Sequence, residues 1–149
     1  MLDKKFIGLE SDVPQIFEVE KGAIRKFVDA IGDTNPIYRD EEAAKAAGYS
    51  AIPAPPTFAI SFSFEVKSGG VRDKISIDMK RVLHGEQHFF YKRPLQVGDK
   101  LRCKQKVIDI STKDGKSGGM DFLTIDSIFS DAETGEEVCT LRGVTVIRH

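Results

Sequence analysis

The amino-acid sequence predicts an α+β layer structure, one antiparallel sheet of long strands whose apolar face is covered by helix. Three observations carry this expectation. The chain from Lys80 onward breaks into four long strand-like runs, the front half shows helical spacing, and no repeat, low-complexity stretch or linker interrupts the 149 residues, which fit a single domain spanning 1–149. At this length roughly two-thirds of the unfolded surface can be buried, so packing alone suffices, without a metal or disulfide staple.

Taken in order, residues 14–19 alternate weakly and suit a first strand. From Lys21 the spacing changes. Ile24, Phe27, Val28 and Ile31 recur at i, i+3, i+4 and i+7, one face of a helix, and Gly32 is placed to end it. After the turn Asp33-Thr34-Asn35-Pro36, Asp40 is a candidate N-cap for a short Ala-rich helix that Gly48 stops. The stretch Ala51-Ile52-Pro53-Ala54-Pro55-Pro56 forms a rigid connector, because most of its residues are Pro or precede one.

The following segment is ambiguous. Phe58, Ile60, Phe62, Phe64 and Val66 alternate as a strand does, whereas Pro56 suits the first turn of a helix, and the need to cover a sheet favours one long buried helix. Strands are then expected over about 81–93, 99–112, 119–130 and 137–147, with turn chemistry between them at Pro94 with Gly98-Asp99, at Asp114-Gly115 and at Thr134-Gly135. With the first strand this gives about five strands, read as an antiparallel meander with an edge suited to pairing with another subunit.

Composition narrows the function classes. With 22 basic and 23 acidic residues and a net charge of -1, the chain has no electrostatic footprint for nucleic acid. The start, Met1-Leu2-Asp3-Lys4-Lys5-Phe6, has no apolar signal core, and no later apolar run approaches bilayer-spanning length, so a cytoplasmic protein without a membrane partner is expected. Cys103 and Cys139 lie in separate strand-like segments with no metal-ligand spacing. They read as buried free thiols, and neither a metal nor a cofactor is expected.

The stretch that bears on chemistry is Gly32-Asp33-Thr34-Asn35-Pro36-Ile37-Tyr38, followed by Ala43, Ala44 and Gly48-Tyr49. It resembles the Gly-Asp-x-Asn-Pro-aliphatic-His signature of the MaoC-like dehydratases and R-specific enoyl-CoA hydratases. Leu83-His84-Gly85-Glu86-Gln87, Phe89-Phe90-Tyr91 and Arg93-Pro94-Leu95 with Gly98-Asp99 extend the resemblance toward the non-catalytic N-terminal halves and A subunits of (3R)-hydroxyacyl-thioester dehydratases. The resemblance implies a hotdog fold, a long central helix wrapped by the sheet. It also implies an acyl-CoA or acyl-carrier-protein thioester as substrate and a homodimer or a heterodimer with a homologous hotdog subunit.

Two positions depart from the active members. Asp33 stands where the family has its Asp, but Tyr38 occupies the position of the His, and a phenol titrating near ~10 is a poor general base at neutral pH. Where the family places a Gly whose N–H polarises the thioester carbonyl, a gapless reading sets Pro55, which has no N–H. Asn35, Pro56, Thr57, His84 and Gly85 are the substrate-contact candidates that the resemblance nominates. Each residue also has a plain reading: Asp33 and Asn35 as turn formers, Tyr38 as a packed aromatic, His84 as an ordinary strand histidine.

The sequence therefore leads to an acyl-thioester-binding subunit of a (3R)-3-hydroxyacyl-thioester dehydratase whose Asp and His come from a partner. Two alternatives stay open: a hotdog acyl-CoA thioesterase that recruits Asp33 or Glu86, and a non-catalytic homodimer that binds acyl thioesters.

Overall fold

The computed structural model describes residues 1–115 and 118–149. Five strands, β1 (Glu10–Glu18), β2 (Val82–Tyr91), β3 (Lys100–Gly115), β4 (Gly118–Asp131) and β5 (Glu137–Arg148), form one sheet of order β1-β3-β4-β5-β2. Every pairing is antiparallel. Three helices, α1 (Lys21–Ile31), α2 (Glu41–Ala46) and α3 (Ile60–Glu65), lie between β1 and β2 in the chain. The α+β expectation holds. Among the described residues no helix is long and apolar enough to cross a membrane.

The local signals act as expected. Gly32 ends α1 in the left-handed region at φ 71°, where a side chain would be strained, and the Asp33 N–H closes back on the Val28 carbonyl at 2.9 Å. Asp40 caps α2 by accepting from the Ala43 N–H at 2.7 Å.

Two expectations need correction. First, the strands are not a full meander, because β2 pairs with β5 at the far end of the sheet and not with β3. Residues 92–99 do not turn as a hairpin. They are drawn to the proline-rich connector, where the Ala54 N–H donates to the Leu95 carbonyl at 2.7 Å and the Val97 N–H to Ile52 at 2.9 Å.

Second, the central helix is short. Pro56 stands in a turn, and α3 spans only six residues. Phe58 and Phe62, one helical turn apart, are buried, whereas Phe64 is 84% exposed, so the segment is helical, and its alternation of apolar residues is not a strand signal. It ends at Glu65, where Val66 turns extended, and in the Ser68-Gly69-Gly70 stretch that follows a Cβ on Gly69 would fall 2.5 Å from Pro14 Cδ. Only a residue without a side chain lets the two segments approach this closely.

The core accordingly has two parts. Under α3, Phe17, Phe58, Phe62 and Phe129 pack with ring centroids 5.3–5.7 Å apart in tilted and edge-on arrangements. Beyond α3 the chain crosses the sheet as an irregular segment, whose Val71 and Ile75 cover Val107, Ile110, Leu123 and Ile147.

The second part is tied off by Asp121, 1% exposed, which accepts from Thr112 Oγ1 at 2.6 Å, the Leu2 N–H at 2.5 Å and His149 Nε2 at 3.0 Å. Burial alone would raise its pKa. The hydrogen bonds from Thr112, His149 and Leu2 outweigh that effect and hold it below its ordinary value. A lowered folded-state pKa contributes stability that is present above the unfolded carboxylate pKa of about 4 and is lost as pH falls through the folded value. Asp121→Ala is expected to lower the unfolding free energy at neutral pH by about 3 kcal/mol in denaturant titrations, and to remove part of the wild-type loss of stability on acidification.

Candidate functional site

The turn after α1 is built from short polar side chains. Asp33 Oδ1 accepts from the Asn35 N–H at 2.8 Å, and Asn35 Oδ1 accepts from the Ile37 N–H at 3.2 Å, capping a 3-10 turn over Pro36–Tyr38. Arg39 braces it by donating to Asp29 at 2.6 Å and to the Asp33 carbonyl at 3.0 Å. The result delivers the Tyr38 ring to the wall of a cavity of about 270 Å³ that Tyr49, Pro56, Tyr91 and Arg93 also border. Tyr91 closes one side, its hydroxyl donating to the Pro56 carbonyl at 2.6 Å. Arg93 is held by a two-point contact with the Asp99 carboxylate at 2.8 and 3.1 Å.

The surroundings of Tyr38 oppose loss of its proton. Burial, then the nearby negative charge of Asp33, then Tyr49, push its pKa above the ordinary phenol value, so it stays protonated at neutral pH. The donor side is equally bare. Neither Pro55 nor Pro56 has an N–H, and the first one available in this turn belongs to the exposed Thr57.

A second, larger groove of about 460 Å³ opens beyond the end of α3, where Phe64 and Arg72 face His84, Gln87 and Gln105 across the inner surface of the sheet. Gln87, Phe89 and Tyr91 share the inward face of β2 by strict alternation, which would turn His84 outward. A bulge between His84 and Glu86 shifts the register by one residue and returns the His84 side chain to the inner face. Gly85 makes this possible: a Cβ there would lie 2.9 Å from Val146 Cγ2 and 3.0 Å from the Val144 carbonyl oxygen.

The structure thus divides the sequence candidates. Tyr38 and Pro56 border the first cavity, and His84 lines the second. Asn35 spends its side-chain oxygen on the turn, and Gly85 has its place in the bulge. Glu86 points outward, where it pairs with His88 Nε2 at 2.9 Å, away from both cavities, which weakens the thioesterase alternative. Tyr49 stands in the motif stretch but is not among the nominated contacts, and sequence reasoning missed Arg72, which carries no motif and is brought to a cavity only by the folding of distant segments onto one another.

The family follows from comparison with known proteins. A model of the FAS1-like dehydratase domain region matches residues 5–141. The chain belongs to this family. Among its relatives, a UPF0336 protein of Saccharopolyspora erythraea is 43% identical over 148 residues, covering 99% of this chain and 92% of the relative. A UPF0336 protein of Thermobifida fusca is 38% identical, covering 99% and 94%.

Among solved structures, the C-terminally truncated HadBC (3R-hydroxyacyl-ACP dehydratase) complex from Mycobacterium tuberculosis superposes with a TM-score of 0.81 at 22% identity, over 95% of this chain and 96% of that one. A MaoC-like dehydratase gives 0.81 at 26% identity over 96% of this chain and 42% of that chain. The five-stranded sheet with its short cover is therefore the hotdog fold, and the resemblance to MaoC-like dehydratases holds.

The bulge can be tested on its own. Gly85→Ala should cost about 1–3 kcal/mol of stability in thermal or denaturant unfolding, because the added methyl meets a backbone carbonyl that has little room to move. The ring resonances of His84 should shift more than those of His149 in the same variant.

Proposed function

We propose that this chain is the acyl-thioester-binding subunit of a cytoplasmic (3R)-3-hydroxyacyl-thioester dehydratase, and that a homologous hotdog subunit contributes the Asp and His. The observation that carries this reading is Tyr38, a desolvated phenol with a raised pKa where an active half would present an imidazole beside Asp33. In the reaction water leaves a 3-hydroxyacyl thioester from C3 with a proton from C2, or adds back across the double bond. Both directions need a group that gains and loses a proton near neutral pH.

Binding is better provided for than bond making. The two cavities lie along the inner face of β2, with Tyr91 bordering one and Gln87 the other, four residues or about 13 Å apart. An acyl chain whose thioester sits near Pro56 and Thr57 would extend toward Phe64 and His84. Lys92 places positive charge at the first cavity, beside Arg93 whose guanidinium is paired with Asp99, and this suits the phosphates of a CoA or carrier-protein arm. Edge strand β2, with Leu83 46% and Phe90 50% exposed, offers an apolar face for the partner.

Hydration of crotonyl-CoA, followed by loss of the enoyl absorbance, tests the reading. The isolated chain should turn over at least about a hundredfold more slowly than its mixture with a homologue that keeps Asp-x-Asn-Pro-x-His, since the missing oxyanion donor alone accounts for that factor. The double variant Tyr38→His with Pro55→Gly should gain measurable hydration without a partner. Fast hydration by the unaltered, unpartnered chain would overturn the proposal.

A further inference from the structure

The groove beyond α3 has the wrong chemistry for a purely aliphatic guest. Its near end is apolar, formed by Ile60, Phe64 and Leu141, but its far end gathers Arg72, His84 and Gln87. Arg72 has five N–H donors and makes one side-chain hydrogen bond among the described residues, from Nη2 to Thr145 Oγ1 at 2.7 Å. Among the described residues no carboxylate pairs with it. The adjacent Asp73 also lines the groove, but its Oδ2 accepts from the Gly69 N–H at 2.6 Å. Protein packed beneath the guanidinium partly desolvates it and lowers its pKa, although the side chain stays exposed to the groove.

The two glutamines beside the guanidinium are committed. Gln105 Oε1 accepts from the Val71 N–H at 3.1 Å while its Nε2 donates to Ser127 Oγ at 3.2 Å. Gln87 Nε2 donates to the Arg142 and His88 carbonyls, each at 3.3 Å. Two cations, Arg72 and Lys67, line the groove against the one carboxylate of Asp73, and the guanidinium fork and the His84 ring that the Gly85 bulge turns inward keep donors to offer. An alkyl chain laid against this end would strip water from Arg72 without replacing its hydrogen bonds, which is unfavourable. An oxyanion would pair with the fork in a two-point contact.

We infer that the Arg72–His84 end of this groove receives an oxyanion of the bound ligand, a carboxylate carried on the acyl chain or a phosphate of its carrier. The inference rests on the acyl-thioester reading for its ligand and deepens it, by making the substrate an acyl group with a polar, anionic feature reaching about 13 Å past the thioester. Apolar wall and cation together act as a length gauge. A chain of the right length meets both.

Calorimetric titration of the full chain with dodecanedioyl-CoA, dodecanoyl-CoA and free CoA tests this. The expected result is about tenfold tighter binding of the dicarboxylic thioester than of dodecanoyl-CoA. Arg72→Gln should erase that preference by weakening the dicarboxylic thioester and not dodecanoyl-CoA, and Arg72→Lys, which keeps the charge, should retain part of it. Equal weakening of all three ligands by Arg72→Gln supports the site and identifies the carrier phosphate as its occupant. Unchanged affinity for every ligand overturns it.

Failure of both thioesters to bind the wild-type chain would overturn the acyl-thioester reading instead. The groove is then judged by nuclear magnetic resonance with free dodecanedioate and inorganic phosphate. Shifts at Thr145 and His84 that vanish in Arg72→Gln uphold the oxyanion site, and their absence in the wild type refutes it.

Discussion

A single sheet with no second sheet to face must have its inner surface covered by whatever else the chain provides, and here the contact of Phe62 with Phe17 and Phe129, backed by Phe58, provides it. Those four rings seat α3 on the sheet and so fix how far the connector before it and the irregular segment after it can reach. Because α3 ends after Glu65, the aromatic cover stops part-way across. The remaining sheet is divided between the apolar patch under Val71 and Ile75 and the groove facing Arg72. A helix one or two turns longer would fill that groove with its own side chains. The space for a ligand is thus a consequence of a short helix, and the extended backbone at Val66 marks its end.

The parts of the fold legible in the sequence are those set by neighbours in the chain. The spacing of Ile24 and Val28, the αL glycine at Gly32, the Asp40 cap and the long runs of β3, β4 and β5 each follow from local rules. The partner of β2 does not, because an open hairpin and a crossover look alike around Pro94 until Leu95 and Val97 are seen bonded to the distant connector. The bulge was invisible for a related reason. Gly85 suggests close approach to something, but the Val144 carbonyl that it approaches lies on another strand.

At the candidate site the sequence showed the anomaly at Tyr38 and the structure shows why it matters. A hydroxyl that faced bulk water beside a cation would have a lowered pKa. Tyr38 is instead half-buried beside Asp33, and both influences act in the opposite direction. The proline pair removes two consecutive donors from the turn where a thioester carbonyl would be polarised. Under the proposed reading these are separate defects, one in proton transfer and one in charge stabilisation, and neither removes Tyr38 or Pro56 from the border of the cavity.

The two edges of the sheet are treated differently, and the difference bears on where a partner can join. On β1 the ladder is interrupted at Pro14, and Lys104 and Lys106 of the neighbouring strand reach Glu10 with side chains that crowd the margin. Such features discourage strand addition. On β2 there is no proline, and Leu83 and Phe90 stand exposed, with the Arg142 guanidinium 5.6 Å above the Phe90 ring. The same strand lines both cavities with its other face. Under the proposed reading, a subunit that extended the sheet at β2 would stand beside both cavities at once, which is where side chains contributed from outside the chain would have to arrive.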